Sequence, residues 1–199
     1  MRIRKSTSPQ RGFMLLETMI AAVVLMIGLL GLAAALADGL AYMSMSQYDY
    51  IAQQKAGAAV ESIFTARDIG QATWSTICNV TSSLCSSGIF LNGATPLCGP
   101  GADGILGTAD DFNGTACAGP PLAAPDALIL PNSSGVVNAT SGQLVPLSNF
   151  NRTITITSVV DANNNPIANL RQIQVTVTYT SGRFGSRSYT LTAYISNFS

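Results

Sequence analysis

The sequence predicts an α+β protein: one long N-terminal helix followed by a C-terminal antiparallel sheet. Three observations carry that reading. Residues Thr18 to Ala37 form an unbroken run of twenty uncharged residues. From Tyr48 to Ile63 the apolar residues recur at three- and four-residue spacing, which is the period of one helix face. From about Leu144 onward β-branched residues alternate with polar ones, which is the period of a half-buried strand.

The first run reads as a membrane span. At about 1.5 Å per residue, twenty residues make a helix of roughly 30 Å, the thickness of a bilayer's hydrocarbon core. Arg2, Arg4, Lys5 and Arg11 precede it and basic residues are scarce just after it, which places the leader in the cytoplasm and everything beyond Asp38 outside. Ala35-Leu36-Ala37 before Asp38 also fits an A-x-A signal-peptidase site that would release a soluble protein. The apolar run is too long for that, since ordinary signal peptides have an apolar stretch of about 7–15 residues.

Glu17 is the one acid at the start of this run. A lone carboxylate there costs about 2–4 kcal/mol unless it is paired, protonated or solvated at headgroup depth. Arg11-Gly12-Phe13-x-x-x-Glu17 followed by about twenty apolar residues resembles the class III signal sequence of type IV pilins and type II secretion pseudopilins. The resemblance implies cleavage after Gly12 by a prepilin peptidase, N-methylation of the new terminal Phe13, and pairing of Glu17 with the terminal amine of a neighbouring subunit during assembly. A buried carboxylate needs such a cation. The run Ala21 to Leu32 is similar to that of minor pilins called pilus modification proteins. Many major pilins carry a helix-kinking Pro about two-thirds along the run, where this chain has Ala33-Ala34-Ala35, and that departure favours a minor subunit.

On this reading residues 1–12 are the basic leader, 13–40 the transmembrane or filament-core helix, 41–68 its amphipathic continuation, 69–143 a loop-rich disulfide-bearing region and 144–199 the sheet. The portion beyond about residue 70 suffices for one small globular domain. Removal of the leader leaves six basic and ten acidic residues, a net charge of −4, so net charge suggests no wholesale binding of nucleic acid. Gly31, Ala35 and Gly39 fall four apart, a spacing that lets another helix approach closely, though it also arises incidentally in an Ala-rich span.

Between Asp68 and Asp126 there is no Lys or Arg, and Gly, Pro, Ser, Thr, Asn and Ala dominate. Cys78, Cys85, Cys98 and Cys117 lie inside this region and read as two disulfides of an exported chain. Three pairings are open; Cys78 with Cys85 and Cys98 with Cys117 is preferred because it closes two short local loops. A zinc site is the other reading, disfavoured because the chain has no His and no C-x-x-C. Gly99 to Gly104 satisfies G-x-G-x-x-G, but no strand leads into it and no helix follows, so dinucleotide binding is rejected. Asp103, Asp110, Asp111 and Asn113 gather three carboxylates and an amide oxygen in a Gly-rich loop, the hard-oxygen environment Ca²⁺ prefers. The loop looks like the short Asp/Gly repeats of calcium-dependent bacterial surface proteins, and pseudopilins as a family use Ca²⁺ in head-domain loops. Asp side chains capping turns of a solvated loop are the competing reading.

Toward the C-terminus, Ile154 and Ile156, then Ile173, Val175, Val177 and Tyr179, then Tyr189, Leu191, Ala193 and Ile195 alternate with polar residues. Asp161 to Pro166 and Ser181 to Ser186 read as the turns between them. Together with the helix this order resembles the pilin fold. Arg152, Arg171, Arg183 and Arg187 make this third locally basic, and Arg183-Phe184-Gly185-Ser186-Arg187 offers an Arg–aromatic tip that could touch DNA; a solvated hairpin is the plainer reading. N-x-[ST] sequons such as Asn113-Gly114-Thr115 and Asn138-Ala139-Thr140 arise readily from this composition. Without His there is no Ser-His or Cys-His pair, and no P-loop or G-x-S-x-G is present, so no enzyme is expected.

The expected function is therefore a minor pilin-like structural subunit that enters, primes or modifies a type IV pilus-type filament. Its partners would be the prepilin peptidase and methyltransferase, other pilins and the inner-membrane assembly platform. Its location would be the bacterial inner membrane, single-pass with a periplasmic head, and the surface pilus. A minor pseudopilin of a type II secretion system is one alternative, and an independent membrane-anchored adhesin or calcium-binding surface module is another.

Overall fold

A computed structural model of the chain describes residues 13–114, 116–119, 123–130, 143–181 and 184–197. The leader with Gly12, the Asn138 sequon and Arg183 lie outside the described residues. Helix α1 spans Phe13–Asp68, in line with the predicted continuous helix. The chain divides into two units, Met1–Ser44 and Met45–Ser199, and α1 contributes to both.

In the first unit the described helix is apolar and exposed. Its most apolar eighteen-residue window has a mean hydropathy of 2.7, and none of that window is buried. Leu15, Met19, Val23, Met26, Leu30 and Leu36 all stand more than half exposed. A helix apolar on every side, with no described residue covering it, is compatible with an apolar surround. Length and composition thus suffice for one membrane crossing near the N-terminus.

In the second unit the helix becomes one-sided. Ile51, Ala52, Ala56, Ala59, Val60, Ile63 and Ala66 are buried, while Gln53, Gln54 and Glu61 are exposed. Ala52, Ala56 and Ala59 are wholly buried in the same core as the sheet residues. A Schellman motif ends the helix. Gly70 takes φ 75°, its N–H donates to Arg67 O at 3.0 Å, and the Gln71 N–H donates to Ala66 O at 2.8 Å. Only glycine adopts that φ without strain, and the two bonds satisfy carbonyls the helix would leave orphaned.

The main sheet has strand order β1-β4-β5-β6. Its strands are β1 (Thr95–Pro96), β4 (Phe150–Val160), β5 (Pro166–Ser181) and β6 (Gly185–Ser196), all antiparallel neighbours. Strands β2 (Ala127–Leu130) and β3 (Gln143–Pro146) pair separately. The β4–β5 turn is set by Asp161, whose carboxylate accepts the Asn163 and Asn165 amides at 2.9 and 2.8 Å. Those bonds hold the carboxyl below its usual range.

The predicted alternation sets the two faces of the sheet. Phe150, Ile154, Ile156, Ile173, Val175, Val177, Tyr179 and Ile195 are buried in one core with the helix side chains. Tyr48 meets Phe150 and Tyr179 edge-on, with ring centroids 5.6 and 5.8 Å away. Tyr179 Oη donates to Asp49, and desolvation with that neighbour pushes the phenol up to about 12. The intervening positions of β4, β5 and β6 face solvent.

Beyond its two pairs with β1, part of the outer edge of β4 is bonded by one side chain. Asn79 Nδ2 donates to Ile154 O at 2.8 Å, and Asn79 Oδ1 accepts the Ile156 N–H at 2.8 Å. The amide thus offers β4 the same donor and acceptor that a neighbouring strand would.

Candidate functional site

Two groups of residues bear on function: the start of α1, and the loops that dock on the sheet. Phe13 begins α1. Glu17 lies one helical turn on, exposed, among exposed Leu15, Leu16, Met19 and Ile20. It makes no ion pair with any described residue. Gly31 and Gly39 have open space where a side chain would stand, so this stretch presents a low profile to any neighbouring helix.

The four cysteines form two disulfides, Cys78–Cys85 and Cys98–Cys117, with Cα separations of 6.3 and 5.4 Å. Each closes a local loop that lacks regular structure of its own. Each loop is also tied to the sheet by a buried arginine.

Arg171 on β5 holds the first loop. Its Nη1 donates to Trp74 O and Ile77 O at 2.6 and 2.7 Å, and its Nη2 to Leu84 O at 3.2 Å. The guanidinium also lies 4.0 Å from the Trp74 ring centroid. Burial disfavours its charged form, while three carbonyl dipoles and a π-face stabilise it. An open groove of about 750 Å³ lies beside Trp74, Leu84 and Arg171, but the guanidinium is already engaged by the loop.

Arg152 on β4 faces the second loop. Asp103, Asp110 and Asp111 come together there, with one oxygen of each within 4.8 Å of the others. Five of the six oxygens accept a hydrogen bond. Asp111 is buried, and its Oδ1 and Oδ2 accept the Gly101 and Gly107 amides, each at 2.6 Å. Asp110 accepts the Asp103 amide at 3.0 Å and the Thr108 hydroxyl at 2.7 Å, and Asp103 accepts the Ile105 amide at 2.8 Å. Asn113 Oδ1 accepts the Ala116 amide at 3.0 Å, serving a turn of its own.

Burial raises the Asp111 carboxyl against the pull of its two amide donors and Arg152. Burial also opposes ionisation of Asp110, yet the Thr108 and backbone bonds bring it below its usual value. Arg152 Nη2 lies 3.9 Å from Asp111 Oδ2, and desolvation lowers the guanidinium's pKa. The three carboxylates lie close enough together to share one cation. They also hold their own loop: both Asp111 oxygens accept amides, Arg152 supplies positive charge beside them, and Asn113 Oδ1 serves a separate turn. Gly101 is required because a Cβ there would overlap the Asp110 carboxylate.

The basic C-terminal third resolves differently from its reading as a surface. Arg152 and Arg171 are 2 % and 5 % exposed, so they do not belong to a surface patch; only Arg187 among the described arginines of this third is exposed. A signal for this lies in the sequence. Arg152 is in phase with Phe150, Ile154 and Ile156, and Arg171 with Ile173, Val175 and Val177, which places both on the core face. The strand-mimicking role of Asn79 has no comparable signature.

No protein-family model matches this sequence, and no significant match was found among characterised proteins or solved structures. One long apolar N-terminal helix joined to an antiparallel sheet is an architecture compatible with a pilin-like fold.

Proposed function

We propose that the chain is a minor pilin-like subunit of a type IV pilus-type filament, cleaved after Gly12, methylated at Phe13 and using Glu17 in assembly. The observation that carries this reading is the start of α1. A helix beginning at Phe13 presents one carboxylate, Glu17, on an otherwise uncharged and exposed surface from Leu15 through Ala37. An isolated carboxylate in such a surround is costly, and the free amine of a processed Phe13 on an adjacent subunit would offset that cost. The second unit supplies a soluble head with its own core and two disulfides, which suits an exported domain.

The test is the intact mass and N-terminal sequence of the protein recovered from membranes of its native host. A start at Phe13 bearing one methyl group is expected. A start at Asp38, or an intact Met1, would overturn the proposal. In the same host, Glu17→Ala should leave the protein in the membrane while sharply reducing its recovery in sheared filaments; unchanged recovery would favour an independent membrane-anchored module.

A further inference from the structure

Four Asp or Asn residues of this chain are followed directly by glycine: Asp38–Gly39, Asn92–Gly93, Asp103–Gly104 and Asn113–Gly114. Such a pair can react with itself. The glycine nitrogen attacks the preceding side-chain carbonyl carbon, and with no Cβ on the glycine little crowds the approach. Ring closure needs a glycine N–H that is not donated elsewhere and a side chain free to turn onto it.

The fold denies this to three of the four pairs. Gly39 lies inside α1, where its amide belongs to the helix ladder. The Gly104 N–H donates to Gly101 O at 3.3 Å, and Asp103 Oδ1 accepts the Ile105 amide at 2.8 Å. Asn113 sits in a turn held from both sides. Its N–H donates to Ala116 O and its Oδ1 accepts the Ala116 amide, both at 3.0 Å, and the adjacent Phe112 bridges to Cys117 of the second disulfide.

Asn92–Gly93 differs on every count. Both residues are exposed. Gly93 takes φ 83°, a Cβ built on it would meet nothing within 4 Å, and its N–H donates to no described residue. Among the described residues Asn92 Oδ1 accepts no hydrogen bond, and the side chain is held through Nδ2 alone, which donates to Thr81 Oγ1 at 2.7 Å.

We propose that Asn92–Gly93 is a self-modification site, at which the folded chain converts asparagine to aspartate or isoaspartate with water as the sole co-reactant. The Gly93 nitrogen gives up its proton and bonds Asn92 Cγ. The Cγ–Nδ2 bond breaks, and that nitrogen leaves as ammonia, carrying the proton. Water then opens the five-membered imide and returns a proton to the Gly93 nitrogen. Addition at Cγ breaks the new N–C bond and gives aspartate; addition at the Asn92 main-chain carbonyl breaks the original peptide bond and gives isoaspartate, whose backbone runs through the former side chain and is one methylene longer. Either product places a carboxylate in a stretch that has no Lys or Arg from Asp68 to Asp126, and removes the amide that donates to Thr81. The inference concerns the second unit alone and does not rest on the filament reading.

The test is incubation of the full chain, in detergent micelles, in warm and mildly alkaline buffer. Samples are digested with pepsin at low pH, and amide-to-acid conversion at each asparagine is followed by mass spectrometry, with isoaspartate assigned from its fragment ions. The same chain, reduced and unfolded in urea, serves as the reference. In the folded chain Asn92 should convert at least about fivefold faster than Asn113, whereas in urea the two should react within about twofold of each other. The Asn92 rate should rise with pH, because the deprotonated amide nitrogen is the nucleophile. Gly93→Ala should slow conversion at Asn92 at least about fivefold. The comparison between the two asparagines of the unaltered chain serves if that variant does not fold by circular dichroism. Folded-chain conversion at Asn113 as fast as at Asn92, no conversion at Asn92 while the unfolded chain reacts, or a rate at Asn92 indifferent to pH would each overturn the proposal.

Discussion

The two disulfide loops reach the sheet by the same device and satisfy it in opposite ways. Arg171 and Arg152 sit on adjacent strands, both on the core face, both buried. Arg171 is held by three neutral carbonyls and an indole ring. Arg152 faces a buried carboxylate at 3.9 Å, and its Nε has no hydrogen-bond partner among the described residues. The first cation is satisfied by geometry, the second mainly by the field of an opposite charge. Burying a charge is costly in either case, but the two solutions fail differently when one member is removed.

The largest effect should come from Asp111→Asn. One of its two accepted amides would then meet a donor, and Arg152 would lose its buried countercharge. We expect a loss of about 3–5 kcal/mol in urea unfolding of the full chain. A loss below about 1 kcal/mol would show that the second loop does not depend on this carboxylate.

The next effect separates the arginines themselves. Arg171→Met removes the donors to three carbonyls and the cation over Trp74, for which we expect about 2–4 kcal/mol. Arg152→Met should cost less, about 1–2 kcal/mol, because Asp111 keeps both amide donors when the guanidinium is gone. Equal costs, or the reverse order, would break the contrast between the loops.

A pH effect sharpens the picture elsewhere in the core. The Tyr179 phenol is raised in the fold, so the neutral form is the stabilised one. Its contribution is fully present below the ordinary value of 10.0 and is lost as pH rises toward about 12. Tyr179→Phe should flatten the alkaline stability curve over that window. An unchanged curve would assign the alkaline loss to other groups.

The smallest effect is expected from divalent ions. With five of the six Asp103–Asp110–Asp111 oxygens already bonded, adding calcium or a chelator should shift Tm by less than about 1 °C. A calcium-dependent rise of about 4 °C or more would mean a tightly held ion and a different second loop.

The architecture was legible where one period dominates. The helix reads from its uncharged run and then its single apolar face, and the long strands from alternation that survives in every hairpin. Short strand β1 was not legible, because two residues in a Pro- and Gly-rich stretch carry no period. The arginines were misread for an instructive reason. Charge predicts exposure, while phase with Ile154 or Ile173 predicts burial, and in the fold phase prevailed because each guanidinium found partners in a loop distant in sequence. The acidic cluster was legible as a cluster, and turn-capping by its Asp side chains was one of its two readings, but which oxygens accept which amides depends on the folded path of residues 99–113. Glu17 stands out from sequence alone, as an acid in an apolar run.

Asn79 also changes what the outer edge of β4 offers to another chain. With its amide bonded to the backbone on both sides of Thr155, the Ile154 carbonyl and the Ile156 amide are no longer free to template a further strand. An unpaired edge is where another chain adds on, and here a single side chain already occupies that stretch of it.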